Sequence, residues 1–441
     1  MKKNEFNELF RRYTKEKLTP TVAERELVSK IYNAVQDVLS ERSCLQIGSY
    51  PRFTAISPPH DLDILYIIDA WPGKAPNPNH ILLSLKESLN KAFRNPTSYA
   101  IAISAQTHSI TIAFTQGKDE KFSVDIVPAY IVGKNEFSQD TYMVPEILIK
   151  NHIARRMLYE EISSSPREMN WLKSDPRGYI EIAKQIDQAN NDFRKTVKFI
   201  KAWKAAFKKQ NEKFKLKSFH VEMVISKYFL EHAQLDFYDA VFEFFYSIPQ
   251  IIVKSQFSDR GEPGRKIDEY IDKLTEDEKE MIIQARDNFL IKLENFTENN
   301  GVEQLFKVEF YERKSSVEKY LFDYKIPVLV EKEIKLGING NVLQRTGGFR
   351  EKLLDTLGLI EIDRKIQFRL ANQVPGIDLY KWKVKNDDSS IQPRGEITDH
   401  TTLHDPEHTK YKGRHYVECY AIKNGVCVAK ARQNVELKPM F

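Results

Sequence analysis

Cysteine is scarce in this sequence: Cys44, Cys419 and Cys427 are the only three in 441 residues, and they lie far apart. Three scattered thiols supply neither a disulfide framework nor a four-cysteine zinc set, and the scarcity fits a reducing compartment. Long apolar runs are missing too. No stretch approaches the roughly 18 consecutive apolar residues that a membrane helix needs. The opening MKKNEFNELFRRY has lysines with no apolar run behind them, so it does not read as a secretory signal. The expectation is a cytoplasmic protein with no membrane partner. A strong excess of one charge is also lacking. The net charge of +5 is mild and suits a protein that handles small polyanions at one local site, not a dedicated duplex-DNA binder.

With 41% hydrophobic and 29% charged residues, the chain reads as ordinary globular protein, too long for a single core. Residues 3–17 and 22–41 read as helices. In the second, Leu27, Ile31, Ala34 and Val38 recur at helical spacing, and Thr21 after Pro20 is a candidate N-cap. The period then changes. Short runs at 43–48, 61–68, 99–104, 108–115 and 121–127 are rich in Ile, Val, Tyr and Phe, with a helix expected over 78–94. From about 145 to 320 the pattern reads as almost wholly helical. Phe193, Val197, Ile200, Trp203 and Phe207 form one apolar stripe there. After Pro327 the period returns to two, and Lys423-Asn424-Gly425 between alternating apolar runs is a hairpin signal. The expected fold class is α+β. A mixed sheet with helices occupies 1–145, a helical lobe 146–327 and a small β-rich domain 328–441.

The chemistry gathers in Gly48-Ser49-Tyr50-Pro51-Arg52-Phe53-Thr54 and His60-Asp61-Leu62-Asp63-Ile64. Alternation along a strand puts Asp61 and Asp63 on one face and Leu62 and Ile64 on the other. Two such carboxylates repel each other and raise each other's pKa unless a cation lies between them. A third, Asp125, sits likewise between Val124 and Ile126. Three acids of this kind can hold a pair of hard divalent ions, Mg²⁺ or Mn²⁺, for phosphoryl transfer. Gly48 lets a backbone approach a phosphate, and the Ser49 hydroxyl can donate to it. The bland reading of an isolated Asp-x-Asp is a solvated turn. The upstream Gly-Ser and the downstream Asp125 turn it into a site.

These motifs resemble the DNA-polymerase-β-like nucleotidyltransferases, and more closely the bacterial cGAS/DncV-like nucleotidyltransferases of the SMODS family. The resemblance continues through Ser174-Asp175-Pro176, Phe199-Ile200-Lys201-Ala202-Trp203 and Lys217-Ser218-Phe219-His220-Val221-Glu222. The tail, with Tyr380-Lys381-Trp382-Lys383-Val384-Lys385-Asn386, Arg394-Gly395-Glu396-Ile397 and Tyr411 to Tyr420, is similar to the adenylyl/guanylyl-cyclase and SMODS C-terminal sensor domain. It departs from that pattern at the turn Asp387-Asp388-Ser389-Ser390, where a glycine is usual. The resemblance implies a cleft in which Gly48, Ser49, Lys201, Lys217 and Ser218 hold the donor triphosphate. It also implies that Asp61 and Asp63 bind both metals, while Asp125 binds one and takes the proton of the acceptor hydroxyl.

The implied partners are nucleoside triphosphates, ATP or another NTP or dNTP, an oligonucleotide product and a separately encoded effector. The implied activity is template-independent joining of nucleotides, with loss of pyrophosphate, into a cyclic or short linear second messenger for antiphage signalling. A linear, deoxy product is left open, as is adenylylation of a protein or tRNA, and a non-catalytic nucleotide sensor stands as a third class. For His400, His404, His408 and His415 a polar loop is expected rather than a zinc site, since Pro406 interrupts any helix through them.

Overall fold

The structure is a computed structural model that describes residues 1–148, 168–297, 299–309, 312–343, 352–353, 358–399 and 406–438. The chain opens with helix α1 (Lys3–Tyr13) and helix α2 (Val22–Leu39). Thr21 caps α2 as its sequence indicates: its hydroxyl accepts from the Glu24 amide at 3.2 Å, and the Glu24 carboxylate accepts from the Thr21 amide at 2.7 Å.

A seven-stranded mixed sheet follows. It comprises β1 (Cys44–Ile47), β2 (Asp61–Ala70), β3 (Ala100–Ala105), β4 (Ile110–Gln116), β5 (Asp119–Lys134), β6 (Asp140–Leu148) and β7 (Glu168–Ser174), with helix α3 (Pro78–Ala92) between β2 and β3. The main path runs β1-β2-β5-β4-β3, while β6 pairs with the far half of β5 and with β7. Strands β2 and β5 are parallel, and the other pairs are antiparallel. One face is apolar because of the alternation read in the sequence. Leu62, Ile64, Val124 and Ile126 are buried against Val28, Ile31 and Val35 of α2 and Leu82, Leu85 and Leu89 of α3.

The stretch after 145 departs from the helical expectation, because β6 and β7 extend the sheet to residue 174. Aromatic packing holds this extension. Trp171 meets Trp71 and Tyr130 edge-on at 5.3 and 5.4 Å, and its indole N–H donates to the Pro76 carbonyl at 2.8 Å. Helices then take over: α4 (Pro176–Ala189), α5 (Phe193–Gln210), α6 (Ser218–Glu231), α7 (Phe237–Ile251) and α8 (Glu276–Glu294). The α5 stripe is buried as its period requires. Phe193, Val197, Ile200, Trp203 and Phe207 all enter one core with α1, α6, α7 and α8.

The tail forms a five-stranded and a four-stranded sheet. Strands β8 (Gly413–Lys423) and β9 (Val426–Lys438) make the hairpin expected at Asn424-Gly425, where both turn residues have positive φ, +51° and +75°. Trp382 is buried in this region and Trp203 in the helical core, as expected of core residues. His400 and His404 lie outside the described residues. Among the described residues, no helix is long and apolar enough to cross a membrane.

Candidate active site

A cleft of about 1660 Å³ opens between the sheet and the helical wall, lined by Gly48, Ser49, Asp61, Asp63, Lys201, Lys204 and Ser218 among others. Parallel pairing of β2 with β5 sets Asp63 directly opposite Asp125 and Asp61 opposite Ser123. Asp63 and Asp125, distant in sequence, thus share one face of the sheet with Asp61.

Their electrostatics follow from this crowding. Burial, then the charges of Asp61 and Asp125, push the Asp63 carboxyl up to about 7, with Arg52 and Lys201 pulling the other way. Asp125 is raised too, first by burial and then by Asp61 and Glu120, against the lowering effect of hydroxyl donors from Thr111 and Ser109. The Thr111 hydroxyl donates to Asp125 and accepts from the Gln106 amide at 2.6 Å. Neighbouring oxygen donors that resist ionising together suit a hard divalent cation. Among the described residues, no three His, Cys, Asp or Glu side chains stand close enough to enclose an ion as they are placed. The donor chemistry therefore suits a divalent ion, although the three carboxylates do not surround a common point.

Gly48 ends β1 in the left-handed region, φ +72°, and a Cβ built there would fall 1.8 Å from Asp63 Oδ2. No side chain fits at residue 48 while Asp63 keeps its position. The next turn is stitched by Thr54, whose amide donates to the Ser49 carbonyl at 3.0 Å. Ser49 lines the cleft, as the sequence indicates. Tyr50 turns away and packs on the sheet core.

The candidate phosphate-binding groups of the helical wall are placed unequally. Lys201 lines the cleft but is only 6% exposed. Its ammonium donates to Glu222 at 2.8 Å and to the Thr54 carbonyl and hydroxyl at 3.2 Å each. Ser218 also lines the cleft, and its hydroxyl accepts from Lys204 Nζ at 2.8 Å. The Lys217 ammonium lies instead over the Tyr270 ring, 4.6 Å from its centroid.

Two residues beside the cleft were not singled out by the sequence reading. Lys204 lines the cleft, and burial, reinforced by Lys208 and Lys201, draws its pKa down to about 8. It stands three residues beyond Lys201, one turn on, which was the available signal. Glu222 is fully buried, and it binds Arg52 Nε at 2.6 Å as well as Lys201. A lone acid inside the apolar run Val221 to Ile225 was the clue.

Similar proteins bear on parts of the chain. Residues 310–438 match the family model of the Adenylyl/Guanylyl and SMODS C-terminal sensor domain. The cyclic AMP-AMP-AMP synthase of Escherichia coli (strain MS 115-1) is 24% identical over 211 residues, 46% of this chain and 57% of the relative. The match thus spans less than two thirds of that protein's length. Among solved structures, E. coli MS115-1 CdnC with ATP overlaps 69% of this chain and 99% of its own (18% identity, TM-score 0.47). CdnC in complex with HORMA-deltaN overlaps 68% and 94% (19%, 0.46), and E. coli DncV bound to 3′-deoxy GTP 65% and 74% (14%, 0.41).

The candidate site is therefore a mixed sheet with Asp61 and Asp63 of β2 at a cleft, Asp125 of β5 in register beside Asp63, and helices on the opposite wall. Residues 310–438 are thus similar to the AGS-C domain, and about half of the chain is similar to a bacterial cyclic oligonucleotide synthase.

Proposed function

We propose that this protein is a template-independent nucleotidyltransferase that joins nucleoside triphosphates into an oligonucleotide second messenger. One observation carries the reading: Asp63 and Asp125 stand side by side in register, with Gly48 fitted closely against Asp63. The cleft volume of about 1660 Å³ exceeds the roughly 300–1,000 Å³ of a typical small-ligand pocket, which supports room for an acceptor nucleotide beside the donor.

In this reading the expected division into 1–145, 146–327 and 328–441 stands for catalytic domain, helical lobe and tail domain, with its first boundary moved to residue 174, where the sheet ends. Asp61, Asp63 and Asp125 would hold two divalent ions, Mg²⁺ or Mn²⁺, which supply charge neutralisation to the transferring phosphoryl group and acidify the attacking hydroxyl. Asp125, whose Oδ1 accepts from the Thr111 hydroxyl, would receive the proton of the attacking hydroxyl. Gly48 leaves its backbone N–H accessible to a phosphate, and the Ser49 hydroxyl donates beside it. Lys201, Lys204 and Ser218 attract the β- and γ-phosphates, which leave as pyrophosphate. Lys217 contributes positive field near the start of α6.

The product is a cyclic or short linear oligonucleotide acting on a separately encoded effector in antiphage defence, in the cytoplasm. The curated relative, named as a cyclic trinucleotide synthase, supports this over adenylylation of a protein or tRNA. The HORMA complex of a structural relative is consistent with control by a protein partner.

Incubation with each labelled NTP and dNTP plus Mg²⁺ or Mn²⁺ tests the reading. Small phosphatase-resistant products identifiable by mass spectrometry are expected. Label found only on protein or tRNA would replace it with the adenylylation alternative.

A further inference from the structure

We propose that Glu222 is a positioning residue: it pins the Gly48–Thr54 turn to the helical wall and holds the Lys201 ammonium in reserve, yielding it when a polyphosphate enters the cleft. This rests on the nucleotidyltransferase reading above and adds a competition that the reading does not require.

The geometry begins with Glu222 itself, which lies on α6 with no exposed surface. Both of its carboxylate oxygens are engaged. Arg52 Nε donates to Oε1 at 2.6 Å, while Oε2 accepts from Lys201 Nζ at 2.8 Å, from the Thr54 hydroxyl at 3.0 Å and from Arg52 Nη2 at 3.4 Å. Arg52 and Thr54 come from the turn that carries Gly48 and Ser49, and Lys201 comes from α5. One carboxylate therefore ties three elements together across some 170 residues of sequence. Arg52, Thr54, Lys201 and Glu222 are each at most 7% exposed. A charge buried to that degree survives only when paired.

The charges in this knot do not cancel. Two cations share one carboxylate, which leaves a positive surplus beneath the cleft. Arg52 and Lys201 both line that cleft, so the surplus has an outlet toward it. The strand acids Asp61 and Asp63 also feel these cations, so the surplus sits between the strand face and Glu222.

The two cations differ in how readily they can leave Glu222. Arg52 engages it through a planar fork and is further held over the Phe219 ring, 5.2 Å from its centroid. Lys201 is a point charge on a flexible stem, and its remaining contacts, to Thr54, are longer at 3.2 Å. Turning the ammonium from Glu222 to a phosphate exchanges one anion for another, with Arg52 left behind to keep the carboxylate paired. Lys201 is thus the mobile member of the knot and Arg52 the fixed one.

If Glu222 competes for Lys201, removing its charge while keeping its shape must favour the incoming anion. The probe is inorganic tripolyphosphate with Mg²⁺, read by thermal shift and calorimetry on the full chain. With Lys201 held back in about nine molecules of ten, Glu222→Gln lowers the apparent Kd for tripolyphosphate about tenfold. The variant melts lower than the parent without the probe, and the probe recovers more of its melting temperature than it adds to the parent. Glu222→Asp, one methylene shorter, moves the same way by less. Equal or weaker binding by both variants overturns the proposal while leaving the enzyme reading intact. So does an equal probe-induced shift in variant and parent, which is what a purely structural brace would give. Should either variant fold only when tripolyphosphate is present, the competition is supported. Failure of both to fold even with the probe counts against it. If the parent itself binds neither tripolyphosphate nor any NTP, it is the nucleotidyltransferase reading that falls.

Discussion

Two carboxylates near the cleft, half-buried Asp63 on the strand side and fully buried Glu222 within the helical wall, are driven in opposite directions. On the strand side, Asp63 is pushed up to about 7, because burial and two more acids oppose its charge. On the helical side, Glu222 is drawn down to about 2 even though burial alone would raise it, because Arg52 and Lys201 both hold its charge. Removal from water thus ends in opposite states according to the partners each carboxylate meets. Where cations are built in, the charge is structural. Where acids are stacked without them, the site waits for something positive. Stability and function divide along that line.

The sharpest way to break the comparison is to neutralise each side in turn. Asp63→Asn removes a repelled charge, so the melting temperature should hold or rise, while product formation falls about a thousandfold or more through loss of several kcal/mol of transition-state stabilisation. Glu222→Gln should do the reverse to stability and cost roughly 3–5 kcal/mol in denaturant unfolding, because it strands buried cations. If both variants destabilised alike, the distinction between the two walls would be lost.

Gly48→Ala probes how tightly the strand side is set. The left-handed backbone and the contact with Asp63 together should cost roughly 1–3 kcal/mol of stability. Displacing the carboxylate should cost about a hundredfold in turnover, checked by chemical denaturation beside a pyrophosphate-release assay. A smaller effect is expected from Thr111→Val, which removes the hydroxyl donor to Asp125. About a tenfold loss in kcat with KM little changed is the expected split in steady-state kinetics.

A pH-dependent effect concerns His220, buried beside Tyr270 and Asp268 behind the helical wall. Its Nδ1 lies 2.9 Å from the Tyr270 hydroxyl, and Nε2 lies 3.6 Å from Asp268. Burial draws its pKa down to about 4, with Asp268 opposing and Lys217 reinforcing the shift. The unfolded chain, titrating near 6.5, binds the proton first. Stability is therefore fully present above pH 6.5 and is lost as pH falls toward 4, by at most about 1.4 kcal/mol per pH unit. Urea midpoints measured across that window should show the slope, and His220→Gln should flatten it.

The strand side of this comparison was legible in the sequence and the helical side was not. Alternation alone placed Asp61, Asp63 and Asp125 on polar faces of apolar strands, and the Asn-Gly pair fixed the tail hairpin. Both signals are local, with periods of two residues. Glu222 and Lys201 could not be paired in advance, since their meeting with Arg52 depends on how a turn near residue 50 docks on two helices. Lys201 reads in sequence as one of ten basic residues between 194 and 217, and nothing periodic marks it as buried. Strand β7 was misread as helix because its neighbours are helical in pattern, and because its register is supplied by β6 and by the packing of Trp171 on Trp71 and Tyr130. Ser218 was found at the cleft, while Lys204 of α5 rather than Lys217, the residue before α6, lies beside it, a meeting of two helices that spacing alone did not resolve.

The most direct measurement is the number of Mn²⁺ ions bound per chain in the presence of a non-hydrolysable nucleoside triphosphate, followed by electron paramagnetic resonance. Two ions are predicted for the parent chain, with loss of binding in Asp63→Asn. Equal binding by parent and variant, or none in either, would contradict the claim that the strand acids form the metal-dependent centre.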